Sequence, residues 1–233
     1  MIKRFTLVCM GMTLGLTAMA QQDPQYSHFS LNKVSINPAA AGITDNICVN
    51  GVFRRQYSRY REYSPIYNSN LNPEEQTVLV GQTNPKTEAF NVHARIPKLP
   101  IGVGLSVIND KIGFQGSLVI RGNFNYQISL DRRGSFLSLG VDLGMAQRNY
   151  EGSFFNPLDP GDPQIPVGAA TDFKFDAGFG AYYSNPQFNN LWVGVSTSHL
   201  TAPSFQYQSP VQGAPIIQSS MARHLHIMGG IEI

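Results

Sequence analysis

His224 and His226 lie two residues apart, so on an extended strand both imidazoles share one face, a spacing that could hold a metal ion. Such sites need three or four ligands, and no third is readable nearby, which makes a polar lining the better reading. Asp142, Asp172 and Asp176 could supply an acid–base pair, yet Arg121, Arg148 and Lys174 suit them as ion-pair partners inside a protein. Gly102-x-Gly104 and Gly178-x-Gly180 have the glycine spacing of a dinucleotide loop, but no helix follows either, so they are small positions within strands. Arg54, Arg55, Arg59 and Arg61 interleave with Tyr57, Tyr60 and Tyr63, as a nucleic-acid surface might, though the chain carries no basic excess to support it. Asp159-Pro160-Gly161-Asp162-Pro163 is acidic and turn-rich without the ligand spacing of a calcium loop. Cys48 falls on an inward position and reads as inert, and no Ser/His/Asp arrangement is recognisable. The chemistry-bearing residues therefore point to no catalytic residue, no cofactor and no metal.

The composition says more about the environment. Of 233 residues, 14% are charged and 42% hydrophobic, against about 25% charged in an average soluble domain. Two cysteines exclude a disulfide framework and any multi-cysteine metal site. Residues 1–20 read as a secretory signal peptide: Lys3 and Arg4, an apolar stretch from Phe5 to Leu16, then Ala18-Met19-Ala20. Cleavage after Ala20 would remove Cys9 and two of the 17 basic residues, leaving 15 to balance 15 acidic ones. The remaining chain is formally neutral.

The elements that must position these residues follow a period of two. Phe90, Val92, Ala94 and Ile96 alternate with Asn91, His93 and Arg95. Leu137, Leu139, Val141, Leu143 and Met145 alternate with Ser138, Gly140, Asp142 and Gly144. The same pattern marks Ile47–Phe53, Ile101–Val107, Leu118–Tyr126, Phe173–Ala181, Leu191–Val195 and Leu225–Ile231, giving eight readable strands. Arg95, Arg121, Asp142, Lys174 and Asp176 all sit on the face rich in Gly, Ser and Asn. No later stretch approaches the roughly 20 apolar residues of a membrane helix.

Alternation alone does not separate a soluble β-sandwich from a membrane barrel, but strand length and loop asymmetry favour the barrel. The breaks at 97–100 and 131–134 are tight and that at 184–190 is short. Those at 57–85, 149–170 and 200–222 are long, and that at 109–116 is intermediate. Tyr26, Tyr126, Tyr150, Tyr182, Tyr183, Phe154 and Phe155 fall near strand ends, as an interfacial aromatic girdle would. The expectation is an all-β chain, a transmembrane antiparallel up-and-down β-barrel of the outer membrane over residues 46–233, preceded by a periplasmic or plug-like segment over 21–45. The rivals are a diffusion or solute-uptake barrel and a soluble secreted β-sandwich binding module.

The mature start Gln22-Asp23-Pro24-Gln25-Tyr26-Ser27-His28-Phe29 and the following Ile36-Asn37-Pro38-Ala39-Ala40-Ala41-Gly42 resemble the opening of the PorP/SprF family of type IX secretion system membrane proteins from the Bacteroidetes. Arg54-Arg55-Gln56-Tyr57, the stretch from Gly102 to Gly113 with Asn109-Asp110-Lys111-Ile112-Gly113 at its end, and Arg223-His224 are also similar to that family. The chain departs from it at Ala40 and Ala41, which stand where an aromatic pattern is usual. The resemblance implies a non-enzymatic component of protein secretion or gliding motility, supporting secretion or surface attachment of cargo such as adhesins. It implies partners among outer-membrane lipids, type IX components, peptidoglycan-associated lipoproteins and a secreted adhesin or its C-terminal domain, and no nucleic acid. It implies further strands beyond the eight, hence a larger barrel. Asp23, Pro24, Tyr26, Asn37, Pro38, Gly42, Asn109, Asp110, Lys111 and Gly113 are the candidate partner or structural motif residues.

Overall fold

The computed structural model describes residues 24, 29–56, 62–65, 77–81, 84–113, 115–150, 169–207 and 216–231. Eight strands pair antiparallel in one curled sheet: β1 (Cys48–Arg55), β4 (Lys86–Arg95), β5 (Ile101–Ile112), β6 (Gln115–Ser129), β7 (Phe136–Tyr150), β9 (Lys174–Asn185), β10 (Leu191–Ser198) and β13 (His224–Gly230), in that order. These are the eight stretches whose alternation is legible in the sequence. The two-residue β8 (Ala169–Ala170) adds to β7. Two small hairpins stand apart, β2 (Glu62–Pro65) with β3 (Thr77–Gly81), and β11 (Ser204–Tyr207) with β12 (Ile217–Ser220). Among the described residues β1 and β13 are the two edges of the sheet and do not pair with each other.

The sheet is inside out relative to a soluble domain. Leu143 is 55% exposed and Phe124, Val141, Phe175, Phe179, Leu225 and Ile227 are similarly outward, whereas Asn91, Asn125, Ser138 and Asp176 are almost completely buried. A soluble sandwich would bury the first set and expose the second. A continuous apolar exterior over strands of 12 to 15 residues is the surface lipid requires. No helix among the described residues is long and apolar enough to cross a membrane.

The connections differ from the sequence reading in one place. β5 runs to Ile112 and β6 starts at Gln115, so most of the stretch 109–116 is strand and the break shrinks to residues 113–114. Gly113 takes a left-handed φ of +60°, open to glycine at little cost, and this lets the chain reverse there. Two of the three long connections contain the small hairpins. One rim of the sheet therefore carries three short turns, and the other carries long insertions beside one tight turn.

The N-terminal segment enters the concave face. It holds a short helix, α1 (Lys33–Ile36), and a single turn of 3-10 helix at Pro38–Ala40, where the Asn37 side chain caps the turn by accepting from the Ala39 amide. At the opposite rim the β11–β12 hairpin folds inward, and Phe205, Tyr207 and Met221 pack on Ala89, Ile108, Val119 and Ala146.

Replacing an outward mid-strand residue with a charge separates a lipid-facing surface from a watery one. Leu143→Arg is expected to weaken folding into lipid vesicles by about 2–4 kcal/mol, measured by urea titration; a change near zero would mean that Leu143 faces water.

Candidate functional site

The interior is built in layers, and the lowest is a seat for the N-terminal segment. Inward glycines of three strands meet it closely, two against its backbone and one against the Asn37 side chain. A Cβ added at Gly102 would lie 2.1 Å from the Ala41 carbonyl oxygen, one at Gly140 2.5 Å from the Ala39 nitrogen, and one at Gly180 2.0 Å from Asn37 Oδ1. Of the glycines read as small inward positions, Gly102 and Gly180 thus lie, with Gly140, under residues 37–41, while Gly178 faces Asp142 and Gly104 lies chiefly against His93 and Val92. The same lack of room accounts for Ala40 and Ala41, both completely buried where an aromatic side chain would not fit.

Amides hold the segment in that seat. Asn37 Nδ2 donates to the Ala181 carbonyl at 3.0 Å, Asn125 Nδ2 to the carbonyls of Pro38 and Ala41 at 3.2 and 2.5 Å, and Gln127 Nε2 to the Gly42 carbonyl at 2.8 Å. The Gly42 amide donates to His93 Nδ1 at 3.1 Å. Gly42 has φ +60°, and a Cβ there would lie 2.6 Å from the Ala94 carbonyl oxygen, so no other residue fits without displacement. Ser196 donates to the Ile36 carbonyl at 2.7 Å, and Asn32, Ser35 and Asn91 form one buried cluster. Below them Phe136, Tyr182 and Trp192 stack, with the Lys33 ammonium 3.9 Å from the Trp192 ring centre. Tyr182 is buried in that stack, so it is not part of an outer aromatic girdle. Tyr126 is exposed on the outer face and Tyr150 packs inward on Tyr207. Tyr26, Phe154 and Phe155 lie outside the described residues.

Above the seat sits a charged layer. Asp176 is fully buried; its Oδ2 lies 3.1 Å from Arg121 Nη2 and 2.7 Å from His199 Nδ1, and Asp142 Oδ1 stands 3.6 Å from Arg121 Nε. Arg121 is the expected partner for both aspartates, while Lys174 and Asp172 are exposed and take no part. His199 was not legible as a member, because it lies just past the end of β10 where alternation no longer assigns a face. His224 and His226 point inward as two half-buried rings 6.1 Å apart, with His199 6.0 Å from His224. No group of three or more potential metal ligands occurs among the described residues. Between the charged layer and the hairpin lies a cavity of about 40 Å³, lined in part by Pro24, Asp110, Arg121 and Arg148. That volume holds water rather than a solute.

The candidate motif residues fall into two places. Asn37, Pro38 and Gly42 form the core of the seated segment. Asn109, Asp110, Lys111 and Gly113 belong to the β5–β6 hairpin at the far rim. There Asp110 is buried and accepts from Thr87 at 2.5 Å, and Asn109 donates to Glu88 at 3.2 Å. Arg148 reaches across that rim to Ser219 at 2.6 Å and holds the inward hairpin. Asp23, Tyr26, Arg59, Arg61 and the turn 159–163 lie outside the described residues. The geometry fixes one segment from below and one hairpin from above.

A family model described as type IX secretion system membrane protein PorP/SprF matches residues 18–233 of the chain. No curated protein and no solved structure matches it.

Three substitutions test the interior. Gly180→Leu is expected to expel residues 37–41 and expose the segment to protease, while Gly122→Leu, whose Cβ would meet nothing closer than 3.7 Å, leaves it protected; equal cleavage of both would contradict the seat. Arg121→Met takes the ion partner from Asp142 and leaves Asp176 to His199, and is expected to cost about 3–5 kcal/mol of stability, read from urea unfolding in detergent.

Proposed function

The chain belongs to the PorP/SprF family of type IX secretion system membrane proteins, and from that premise we propose that it is a non-enzymatic outer-membrane component that supports secretion or surface attachment of cargo such as adhesins. In this reading residues 1–20 are removed as a signal peptide, residues 21–45 are periplasmic or held as a plug, and the sheet is the membrane anchor. The short turns face the periplasm and the long insertions face outward, the usual polarity of outer-membrane barrels. Contacts to type IX components, including peptidoglycan-associated lipoproteins, fall to the periplasmic side. Contacts to a secreted adhesin or its C-terminal domain fall to the long insertions. A role in gliding motility belongs to the same proposal.

One observation supports this reading over a diffusion barrel. Among the described residues the concave face carries, from one rim toward the other, the seated segment, the Arg121–Asp142–Asp176–His199 cluster and the β11–β12 hairpin. A solute-uptake barrel needs a continuous wet path, and a platform does not. Filled interiors make stiff bodies, because close-packed side chains and paired buried charges resist displacement. A fixed body with two chemically different rims suits a part that links machinery on one side to cargo on the other.

Deletion of the gene is expected to leave type IX cargo unsecreted or released from the cell surface, followed by surface labelling of the cargo. Normal display in the deletion strain would overturn the proposal. In planar bilayers the purified protein is expected to pass no stepwise current, and porin-like steps would favour solute uptake instead.

A further inference from the structure

The rim of short turns has its own chemistry. Residues 96–100 join β4 to β5, 130–135 join β6 to β7, and 186–190 join β9 to β10, so the three turns lie in sequence along one edge. They are tied together. The Gln127 amide donates to the Pro100 carbonyl at 2.7 Å, and Gln187 accepts from Arg133 Nη1 at 2.9 Å while donating to Asp131 Oδ2 at 3.1 Å.

Each turn exposes an apolar side chain, namely Leu99, Leu130 and Phe188, and two of them expose bases, namely Lys98, Arg132 and Arg133. Lys98 and Arg132 make no hydrogen bond or ion pair among the described residues. The acids of this rim are already engaged. Asp45 pairs with Arg95 at 3.0 Å. Asp131 accepts from the amides of Arg133 and Ser135 at 2.8 and 2.9 Å. The Ser135 side chain, those amides and Gln187 hold the Asp131 carboxyl below the usual carboxylate range, so it stays ionised and committed to its own turn. What remains outward is a ledge of apolar and cationic groups, directly continuous with the lipid-facing Tyr126, Ile128 and Leu139.

We propose that this rim docks onto the anionic headgroups of the adjoining phospholipid leaflet. Leu99, Leu130 and Phe188 enter the acyl boundary, and Lys98, Arg132 and Arg133 reach the phosphates. Long basic side chains extend toward a headgroup layer while their stems stay apolar. Continuity with the apolar belt favours lipid over an acidic protein surface, because an acidic protein docked here would have to sit within the headgroup layer. Each cation near an anionic surface is worth about a fivefold gain in binding before salt screening. The contact would fix both the depth and the direction of the sheet. It rests on the membrane reading above and goes beyond it.

The test is native mass spectrometry of the purified full chain in detergent, supplied with phosphatidylglycerol or phosphatidylcholine. The wild type is expected to retain phosphatidylglycerol in about tenfold preference. K98Q/R132Q/R133Q is expected to lose most of that preference, and R55Q/K86Q/K174Q, which removes the same charge at the opposite rim, to keep it. K98Q/R132Q leaves the Arg133–Gln187 bond in place and should show a smaller loss, so the result does not depend on the triple variant folding. Equal retention of the two lipids by wild type, or an unchanged preference in both K98Q variants, overturns the proposal and leaves the rim to an acidic protein surface. Equal loss in the triple variant and in its charge-matched control overturns it too. Failure of the wild type to insert into vesicles at all would instead sink the membrane reading, so the two failures are distinguishable.

Discussion

Everything in this molecule depends on where water is allowed. The outer face of the sheet is apolar, so polar side chains point inward, and each must find a partner within the protein. Asp176 illustrates the constraint. It is fully buried, and the cost of removing a carboxylate from water is offset only because Arg121 and His199 both stand within hydrogen-bond distance. Asn125 and Gln127 face the same requirement and meet it by donating to the backbone of the N-terminal segment. That segment is therefore part of the solution to polar burial. Without it, Asn125 and Gln127 of β6 and Asn91 of β4 would face an empty interior.

The same constraint explains which parts of the structure were legible beforehand. Eight strands were readable because lipid on one side and protein on the other force strict alternation, and the pattern survives whatever fills the interior. The inward glycines were visible as small positions, but not their purpose, since a missing side chain does not name the atoms that take its place. Gly140 approaches Ala39, and Gly180 approaches Asn37, across more than 100 residues of sequence. The departure at Ala40 and Ala41 is an oddity in the sequence and becomes intelligible only with the glycine floor beneath it. His199 and the β11–β12 hairpin escaped notice for a related reason: each lies in a connection, where no periodicity assigns a direction. Tyr182 was misplaced because an aromatic near a strand end fits a girdle and an internal stack equally well until its parity is counted against Gly180 and Asp176.

The layered filling also separates two properties that barrels often combine. A strand framework closed to lipid can still be open along its axis, and then its inner charges tune a current. Here Arg121 pairs with Asp142 and Asp176, and the concave face holds a short segment from one side and a hairpin from the other. Membership of a secretion-system membrane family is consistent with that division, since such a part needs position and rigidity more than a lumen.

The two rims then differ by what the interior leaves free. At the long-insertion rim, the strand residues Asp110 and Arg148 are turned inward to hold Thr87 and the inward hairpin, while Arg55 and Lys174 stay exposed. At the short-turn rim the acids are spent in the same way, Asp131 on its own turn and Asp45 on Arg95, but Lys98 and Arg132 have no inward partner to satisfy. Short turns cannot fold back over the sheet, so their bases have only outward directions available. The two rims thus differ in how their charges are held. At one rim an inward hairpin takes up Arg148, whereas at the other the short turns present Lys98 and Arg132 to whatever lies beyond the apolar belt.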